Sequence, residues 1–287
     1  MLPKFDYHSP ETLQEAVRLL TEHKNDAKLL AGGTDLIVNL RARAEHASHV
    51  IDIKRIKELQ TISFDQKSGL KIGAAVTLNE LLRDETVGKI YPVIAEAAGT
   101  IGDYEVRNRA TLVGNICNAS PAADTAPALL ILNSKVDITS AAGDRSIPIT
   151  AFFAGVKKTT LKNGELVSSV TVPIPPKGSQ AGYLKARRST GEDVAVIGVG
   201  ALVAPNGNNG KNVRLSYASL APTPVRAQDA EKIFDKNGPI SQLLDEAMPF
   251  VMKAVAPISD VRAGKEYRTQ LVKVLTTRLL RRLWKMN

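Results

Sequence analysis

Two short polar segments have the residue types expected of a site that binds a phosphate-containing cofactor. The first spans residues 28–35 and consists of Lys28, Leu29, Leu30, Ala31, Gly32, Gly33, Thr34 and Asp35. Paired glycines after an apolar run let backbone amides converge without an intervening Cβ, and a helix that begins at Thr34-Asp35 adds its positive end. This chemistry suits a phosphate or a pyrophosphate. For so short a motif taken alone, a plain tight turn is the simpler interpretation.

The second segment, residues 111–124, has the sequence TLVGNICNASPAAD. Gly114 permits close approach of the backbone, and neutral hydrogen-bonding groups come from Asn115, Asn118 and Ser120. The carboxylate of Asp124 suits ribose hydroxyls better than phosphates, because it accepts hydrogen bonds from hydroxyls and repels anions. A polar loop in which Asp124 caps the following helix is the alternative interpretation.

Other kinds of site find little support. Neither a G-x-S-x-G nucleophile elbow nor a G-x-x-x-x-G-K-[ST] phosphate loop occurs. The single cysteine, Cys117, has no histidine near it in sequence, which favours a small buried residue over a nucleophile, and one cysteine excludes an intrachain disulfide or a four-thiolate cluster. The four histidines are His8, His23, His46 and His49. Their spacing matches no ligand motif such as H-E-x-x-H, so we predict no metal bound by this chain.

Alternating strand and helix patterns surround the two segments. Ser9 is expected to cap a first helix that has Pro10 at its first position, and the apolar run before Gly32-Gly33 is expected to be a strand. Further strands are predicted over residues 50–53, 70–73, 136–139 and 166–172. Helices are predicted over residues 36–40, 92–98 and 126–132, and a further helix is predicted to begin at Thr77. Residues 99–124 have no sustained period, which predicts a long ordered loop.

The only proline cluster, at residues 173–178, indicates a domain boundary, so we predict domains over residues 1–175 and 176–287. The second region has strand patterns at 183–186, 194–203 and 213–220, with a hairpin turn at 204–210. Gly198 and Gly200 lie inside the middle strand, where glycines allow another element to pack closely. Helices are predicted over 227–234 and 240–255 and from Lys265 to the end. The fold class predicted for this region is α+β.

The charge pattern limits the possible partners. The chain has 38 Lys and Arg residues and 29 Asp and Glu residues, which gives a formal charge of +9. Such an excess of positive charge could bind nucleic acid or an acidic partner, or could belong to a solvated surface. Aromatic residues make up 5% and are not interleaved with the basic clusters, so we expect no nucleic-acid binding. In the closing helix the basic residues lie opposite the leucines. No apolar stretch is long enough to span a bilayer, and no signal peptide is evident, so we expect no membrane insertion and a cytoplasmic location.

Taken together, the segments are far more specific than either alone. The combination of AGGTDL at 31–36, VRNRATLVGNICNASPAAD at 106–124 and SDVRAGKEYR at 259–268 resembles the FAD-binding medium subunit of the molybdenum hydroxylases. That family includes xanthine dehydrogenases, aldehyde oxidases and carbon monoxide dehydrogenases. The resemblance implies a two-lobed FAD-binding domain of the vanillyl-alcohol-oxidase (PCMH) type. It also implies a smaller C-terminal α+β domain, with a three-stranded sheet and helices, like that of carbon monoxide dehydrogenase flavoproteins.

The resemblance also implies roles for individual residues. Residues 28–35 would wrap the FAD pyrophosphate, and a second wall would come from Thr111, Gly114 and Asn115. Asp124 would hold the ribose of the adenosine half. Leu166 matches an apolar position that covers the cofactor, and Leu184 and Lys185 match the place where the second domain reaches the isoalloxazine. Many relatives have Gly-Gly where this chain has Gly102-Asp103 and Val113-Gly114, so a side chain at Asp103 is expected to add bulk and charge near the flavin.

In this family, substrate is oxidised at a molybdopterin centre and electrons pass through two [2Fe–2S] clusters to FAD. Because this chain lacks the cysteines for such clusters, the resemblance implies that the metals reside on a large molybdopterin subunit and a small iron–sulfur subunit, in a dimer of heterotrimers. Electrons would leave FAD for NAD⁺, oxygen or another acceptor, with no catalytic residue on this chain beyond the flavin. The alternative is a stand-alone FAD-dependent oxidoreductase of the same fold.

Overall fold

The chain forms four sheets with helices packed on them, as described by a computed structural model for residues 1–189, 193–206 and 210–285. The strands are β1 (Asp6–His8), β2 (Ala27–Leu30), β3 (His49–Asp52), β4 (Ile62–Asp65), β5 (Gly69–Gly73), β6 (Lys135–Ser140), β7 (Gly143–Pro148), β8 (Phe153–Gly155), β9 (Lys158–Thr159), β10 (Leu166–Val172), β11 (Gln180–Ala186), β12 (Ile197–Pro205), β13 (Lys211–Ala218) and β14 (Val225–Arg226).

The α-helices are α1 (Leu13–His23), α2 (Leu36–Arg41), α3 (Leu78–Arg83), α4 (Glu85–Ile90), α5 (Pro92–Gly99), α6 (Tyr104–Arg107), α7 (Leu112–Cys117), α8 (Thr125–Ile131), α9 (Gln228–Glu231), α10 (Ile240–Ala254) and α11 (Lys265–Trp284). None of the helices within the described ranges has the length and apolar character that crossing a membrane requires.

A small parallel sheet in the order β1-β3-β2 begins the molecule, and α1 packs on it. The helix starts later than predicted. Thr12 is its N-cap, since its hydroxyl accepts a hydrogen bond from the Glu15 amide at 3.2 Å, and Ser9 and Pro10 precede the helix. Both Ser9 and Thr12 are residues that cap helices well, so sequence alone could not choose between them. The predicted strand before Gly32-Gly33 is β2, which pairs with β3.

An antiparallel sheet in the order β4-β5-β10-β6-β7 forms the second lobe, with β10 at its centre. Ile72 of β5 and Val136 of β6 both pair with Val170 of β10, and all three side chains are buried. Ile51 of the parallel sheet belongs to the same hydrophobic cluster. The two lobes therefore share one core, whose burial supplies most of the driving force for folding this part of the chain.

The interval from 99 to 124 contains two short helices, α6 and α7, so the prediction of one long loop was wrong there. Asp103 caps α6 by accepting from the Val106 amide at 2.7 Å, and Thr111 caps α7 by accepting from the Gly114 amide at 2.9 Å. Helices of one or two turns are too short to produce a recognisable apolar period, and their caps are the polar residues that indicate loops.

The C-terminal region has an antiparallel sheet in the order β11-β12-β13-β14. The three predicted strands are present, and the two-residue β14 extends them. Gly200 lies where a Cβ would come 3.1 Å from Pro127 of α8, and the Ser216 hydroxyl donates to the Pro127 carbonyl at 2.8 Å. Gly198 is likewise crowded by the Tyr183 ring. The prediction that these glycines allow close packing is therefore confirmed.

The helices of this region cover the other face of the sheet. Leu275, Leu279 and Leu283 of α11 are buried, whereas Lys273 and Arg278 are exposed. The amphipathic pattern predicted for the closing helix is thus confirmed. β12 and β13 pair antiparallel as expected of a hairpin. Part of the predicted turn at 204–210, residues 207–209, lies outside the described residues.

A cleft between the two glycine segments

A cleft of about 850 Å³ opens between the two polar segments and is closed on one side by the C-terminal region. Its volume lies toward the upper end of the range for small-molecule and cofactor sites. Twelve of the fifteen residues predicted to bind a cofactor line it: Lys28, Leu29, Ala31, Gly32, Gly33, Thr34, Asp35, Thr111, Gly114, Asn115, Asp124 and Lys185. Residues distant in sequence therefore meet at one concave surface.

The Gly32-Gly33 turn connects β2 to α2 and packs directly on the second segment. A Cβ on Gly32 would collide with the backbone carbonyl of Arg109, so the two backbones touch at this point. Gly33 has a φ of +75°, in the left-handed region that side chains rarely adopt, and a Cβ there would lie 2.7 Å from Leu30. Both glycines are therefore required by the geometry of the turn, because a Cβ at either position would run into neighbouring protein atoms.

Side-chain hydrogen bonds join the two segments across one end of the cleft. The Asn118 amide donates to the Asp35 carboxylate at 2.8 Å, and the Lys157 ammonium donates to the Asn118 carbonyl oxygen at 2.6 Å. Deeper in the second segment, the Asn115 carbonyl oxygen accepts from the Thr125 hydroxyl at 2.6 Å. The Asn118–Asp35 bond therefore links the two walls, and the Asn115–Thr125 bond holds the second segment against the start of α8.

At another part of the cleft, Asp124 meets two residues of β11. The Lys185 ammonium donates to one Asp124 oxygen at 2.9 Å, and the Tyr183 hydroxyl donates to the other at 2.7 Å. Lys185 also donates to the Thr100 carbonyl at 3.0 Å. Burial raises the pKa of the Asp124 carboxyl, and the Lys185 ammonium opposes that rise. Burial and the nearby Asp124 raise the pKa of Tyr183 well above its usual value, so its hydroxyl stays a donor at neutral pH.

Three predicted residues lie outside the lining formed by the described residues. Leu166 is fully buried in the core, and its neighbour Val167 lines the cleft, because successive side chains of a strand point to opposite faces. Leu184 packs in the core of the C-terminal region for the same reason, on the strand face opposite Lys185. Leu30 packs beneath the turn, beside Leu40 and Val50. The lining of the cleft therefore does not support the cofactor contacts predicted for these three leucines.

Several lining residues were missed by sequence reasoning, among them Ile101, Gly102, Val106, Lys157, Asp193 and Val194. Gly102 has a φ of +48°, and the Arg107 guanidinium holds this turn by donating to the carbonyls of Ile101 and Gly102 at 2.9 and 3.1 Å. Asp103 is absent from the described cleft lining, since its carboxylate caps α6. The Asp103 side chain, which was expected to add bulk and charge near the flavin, therefore does not line the described cleft.

The lining chemistry suits binding better than covalent catalysis. Burial raises the pKa of the Cys117 thiol to about 12, so the thiol is uncharged at neutral pH and is a poor nucleophile. The cleft instead offers backbone amides at a glycine turn and the buried Asp124–Lys185 pair. It also offers two further lysines, Lys28, which lies 3.8 Å from the Glu45 carboxylate, and Lys157. Such a surface can hold an elongated anionic ligand.

Comparison with known proteins gives two family matches along the chain. Residues 3–175 match the FAD binding domain in molybdopterin dehydrogenase, and residues 181–283 match the CO dehydrogenase flavoprotein C-terminal domain. The first match alone covers more than half of the chain.

Similar proteins match over nearly their whole length. The xanthine dehydrogenase FAD-binding subunit of Escherichia coli O157:H7 is 34% identical over 276 residues, covering 96% of this chain and 94% of that protein. The glyceraldehyde dehydrogenase medium chain of Sulfolobus acidocaldarius is 34% identical, with 96% of each chain covered. Among solved structures, a carbon monoxide dehydrogenase from Hydrogenophaga pseudoflava that lacks the Mo-pyranopterin moiety matches with a TM-score of 0.95 at 31% identity, covering 100% of this chain and 99% of that one.

Proposed function

The chain belongs to the family of FAD-binding medium subunits of molybdenum hydroxylases, and from this premise we propose that it holds FAD in the cleft and relays electrons from a partner's [2Fe–2S] clusters to an acceptor. It is an FAD-dependent oxidoreductase subunit. The observation that carries the proposal is the Gly32-Gly33 turn, which packs directly on the second segment and lines the cleft just before α2.

The residues fit FAD at its pyrophosphate. A dinucleotide cofactor carries its negative charge there, and backbone amides at a glycine turn before a helix are suited to that charge. We assign this role to the segment from Lys28 to Asp35, with Gly32, Gly33 and Thr34 nearest the anion. Thr111, Gly114 and Asn115 form the opposite wall.

Asp124 has room to accept from a hydroxyl of the cofactor. Its contact with Lys185 at 2.9 Å puts both residues at one part of an extended FAD, so the adenosine ribose for Asp124 and the isoalloxazine for Lys185 are not both met. An ionised carboxylate has about four acceptor sites, and Tyr183 and Lys185 occupy one on each oxygen. Acceptor capacity therefore remains for a hydroxyl of the cofactor. Lys185 also bonds to Thr100, so it positions the second domain against the first as well as facing the cleft.

FAD, when bound, supplies the redox chemistry of the subunit. The chain's own residues bind and orient it and exclude water around the Asp124–Lys185 pair, whose side chains are 9% and 4% exposed. A lysine close to the isoalloxazine would favour a reduced, anionic flavin. Because Asp124 neutralises Lys185, we expect this effect on the reduction potential to be smaller than that of an isolated ammonium group.

The partners follow from the same premise. We propose a large molybdopterin subunit and a small iron–sulfur subunit, arranged as a dimer of heterotrimers, with NAD⁺, oxygen or another acceptor taking the electrons. The names of the relatives as FAD-binding subunits or medium chains, and the single cysteine of this sequence, support metals on separate chains. We place the domain boundary at 175/176, in agreement with the limits of the two family matches. The cytoplasmic location stays a prediction.

The test is flavin content followed by co-purification. The purified chain is expected to show oxidised-flavin absorbance and to release one FAD per chain on denaturation. A colourless chain that takes up no added FAD would overturn the cofactor assignment. Purification from the native source should then yield large and iron–sulfur chains in equal amounts with this one. A flavin-loaded chain that turns over substrate without partners would favour the stand-alone oxidoreductase.

A further inference from the structure

Three of the four histidines of the chain lie together, although their sequence spacing gives no indication of it. His8, His23 and His49 each offer a ring nitrogen, and the three nitrogens lie within 4.8 Å of one another. Nε2 of His8 is 3.1 Å from Nδ1 of His49. The His23 and His49 rings are stacked with centroids 3.6 Å apart. All three residues are half-buried.

The parallel sheet and its helix bring these residues together. In the register of β1 and β3, Asp6 pairs with His49 and His8 pairs with Ile51, so Asp6, His8 and His49 project from the same face. Ile51 and the buried residues of α1 belong to one hydrophobic cluster, so this is the face that α1 covers. His23 is the last residue of α1 and therefore ends above the beginning of β3.

We propose that this three-histidine cluster binds a divalent transition-metal ion of the Zn²⁺ class. Neutral imidazole is a preferred ligand for Zn²⁺, and three histidines with an open fourth position are an established ligand set. Two nitrogens bound to one tetrahedral zinc lie about 3.3 Å apart. The separation between His8 and His49 already meets that requirement.

Metal binding requires the His23 ring to turn out of its stack with His49, so that its nitrogen moves closer to the other two by at most about 1.5 Å. The Asp6 carboxylate lies 3.7 Å from Nδ1 of His49, and its side chain is largely exposed. Asp6 or a solvent molecule completes the fourth position. The site takes one ligand from each of β1, β3 and the end of α1, so a bound ion cross-links these three elements.

The cluster is separate from the cofactor cleft. None of its three histidines is among the described residues that line the cleft. His49 begins β3 and pairs with Ala27 at the start of β2, whereas the Gly32-Gly33 turn follows the other end of β2. Four-residue strands rise about 3.3 Å per residue, which puts roughly 10 Å between the two ends. Metal binding is therefore expected to leave flavin content unchanged.

The probe is Zn²⁺ alone, titrated calorimetrically into the full-length flavin-loaded chain after chelator treatment and purification without a histidine tag. We expect one Zn²⁺ per chain and a rise in Tm of about 5 °C at a hundredfold excess over Kd. His8→Gln, His23→Gln and His49→Gln should each weaken binding by about tenfold or more. His46→Gln is the matched control, because His46 is exposed and lies outside the cluster.

Flavin content and circular dichroism show whether each variant is folded. X-ray absorption of the zinc-loaded native chain gives a second measurement that needs no variant. It should show three imidazole ligands at about 2.0–2.1 Å. Failure to bind Zn²⁺, an equal loss of affinity in His46→Gln, or a zinc shell without imidazole would each overturn the proposal. In any of these cases the three rings form only a stacked packing contact.

Discussion

Lys185 and Asp124 form a buried ion pair, 2.9 Å between Nζ and Oδ2, that joins the C-terminal sheet to the start of α8 in the first domain. Each charge is removed from water, so each depends on the other for compensation. The same pair lines the cleft proposed for FAD. One contact between the domains therefore also forms part of the wall of the cleft.

Lys185→Met should destabilise the chain, because it leaves the Asp124 carboxylate buried without its cation. Removing one partner of a buried pair typically costs about 3–5 kcal/mol of unfolding free energy. Urea denaturation monitored by circular dichroism measures this loss. The double variant Lys185→Met/Asp124→Asn is the control, and it should recover part of the loss. If the single and the double variant are equally stable, the unpaired charge of Asp124 is not the cause of the lost stability.

The loss in Lys185→Met should depend on pH in a defined direction. Burial raises the pKa of Asp124 in the folded state above its value of 3.8, and loss of Lys185 removes an opposing influence. A carboxyl with a raised folded pKa is destabilising once the unfolded chain ionises, so stability falls as pH rises from 3.8 through the folded pKa. The deficit relative to the native chain should thus be smallest in acid and largest at neutral pH. Denaturation curves across that range test the sign.

Gly33→Ala should lower FAD content more than it lowers stability. The residue has a φ of +75°, and its new Cβ would press on Leu30 beneath the turn, which displaces the amides proposed to face the pyrophosphate. Strain of this kind costs roughly 1–2 kcal/mol. Flavin absorbance after equilibration with excess FAD is the measurement.

Gly143→Ala provides a matched control for that substitution. Gly143 has a φ of +112° and open space where the new methyl group would lie, and it belongs to the β6–β7 hairpin, outside the described lining of the cleft. The substitution therefore introduces backbone strain without an effect on the cleft. If both variants lose flavin to the same degree, general destabilisation is the cause and the role assigned to Gly33 fails.

The parts of the fold that could be predicted are those with a local signal. The strand before Gly32-Gly33, the helix α3 capped by Thr77 and the leucine face of α11 each depend on neighbours within a few residues. The helices α6 and α7 were missed altogether, because they are short and their caps, Asp103 and Thr111, are residue types typical of loops.

Sequence could predict those residues of the candidate site whose types themselves suit cofactor binding. It could not predict the residues that reach the cleft only through tertiary packing. Gly32, Gly33, Gly114 and Asp124 are residue types that suit a cofactor site. Twelve of the fifteen predicted residues line the cleft. Lys157 and Val194 reach the cleft only through the folding of distant elements. Whether Leu166 or Val167 faces the cleft depends on the register of β10, which a β-bulge between Val167 and Ser169 alters. The histidine cluster likewise depends on strand register and helix length together.

Asp103→Gly tests whether the departure from the Gly-Gly pattern of relatives affects the cofactor. The Asp103 carboxylate caps α6 and is absent from the described cleft lining, so its removal should leave FAD affinity unchanged. Replacing an N-cap by glycine costs only a few tenths of a kcal/mol. Flavin titration compares the variant with the native chain. Markedly tighter binding by the variant would mean that the side chain does crowd the flavin.

Asp260→Asn should destabilise the C-terminal region at neutral pH and cease to do so in strong acid. Asp260 accepts from the Arg268 guanidinium at 2.7 Å and from the Arg262 amide at 2.8 Å, and these bonds hold its pKa at about 2, below the ordinary 3.8. A depressed folded pKa gives stability that is complete above pH 3.8 and is lost as pH falls toward 2. Because the side chain is 28% exposed, we expect a loss of only about 1 kcal/mol at pH 7. Chemical denaturation at pH 7 and pH 3 should show the difference shrinking, and a constant difference would contradict the ionic origin of the contact.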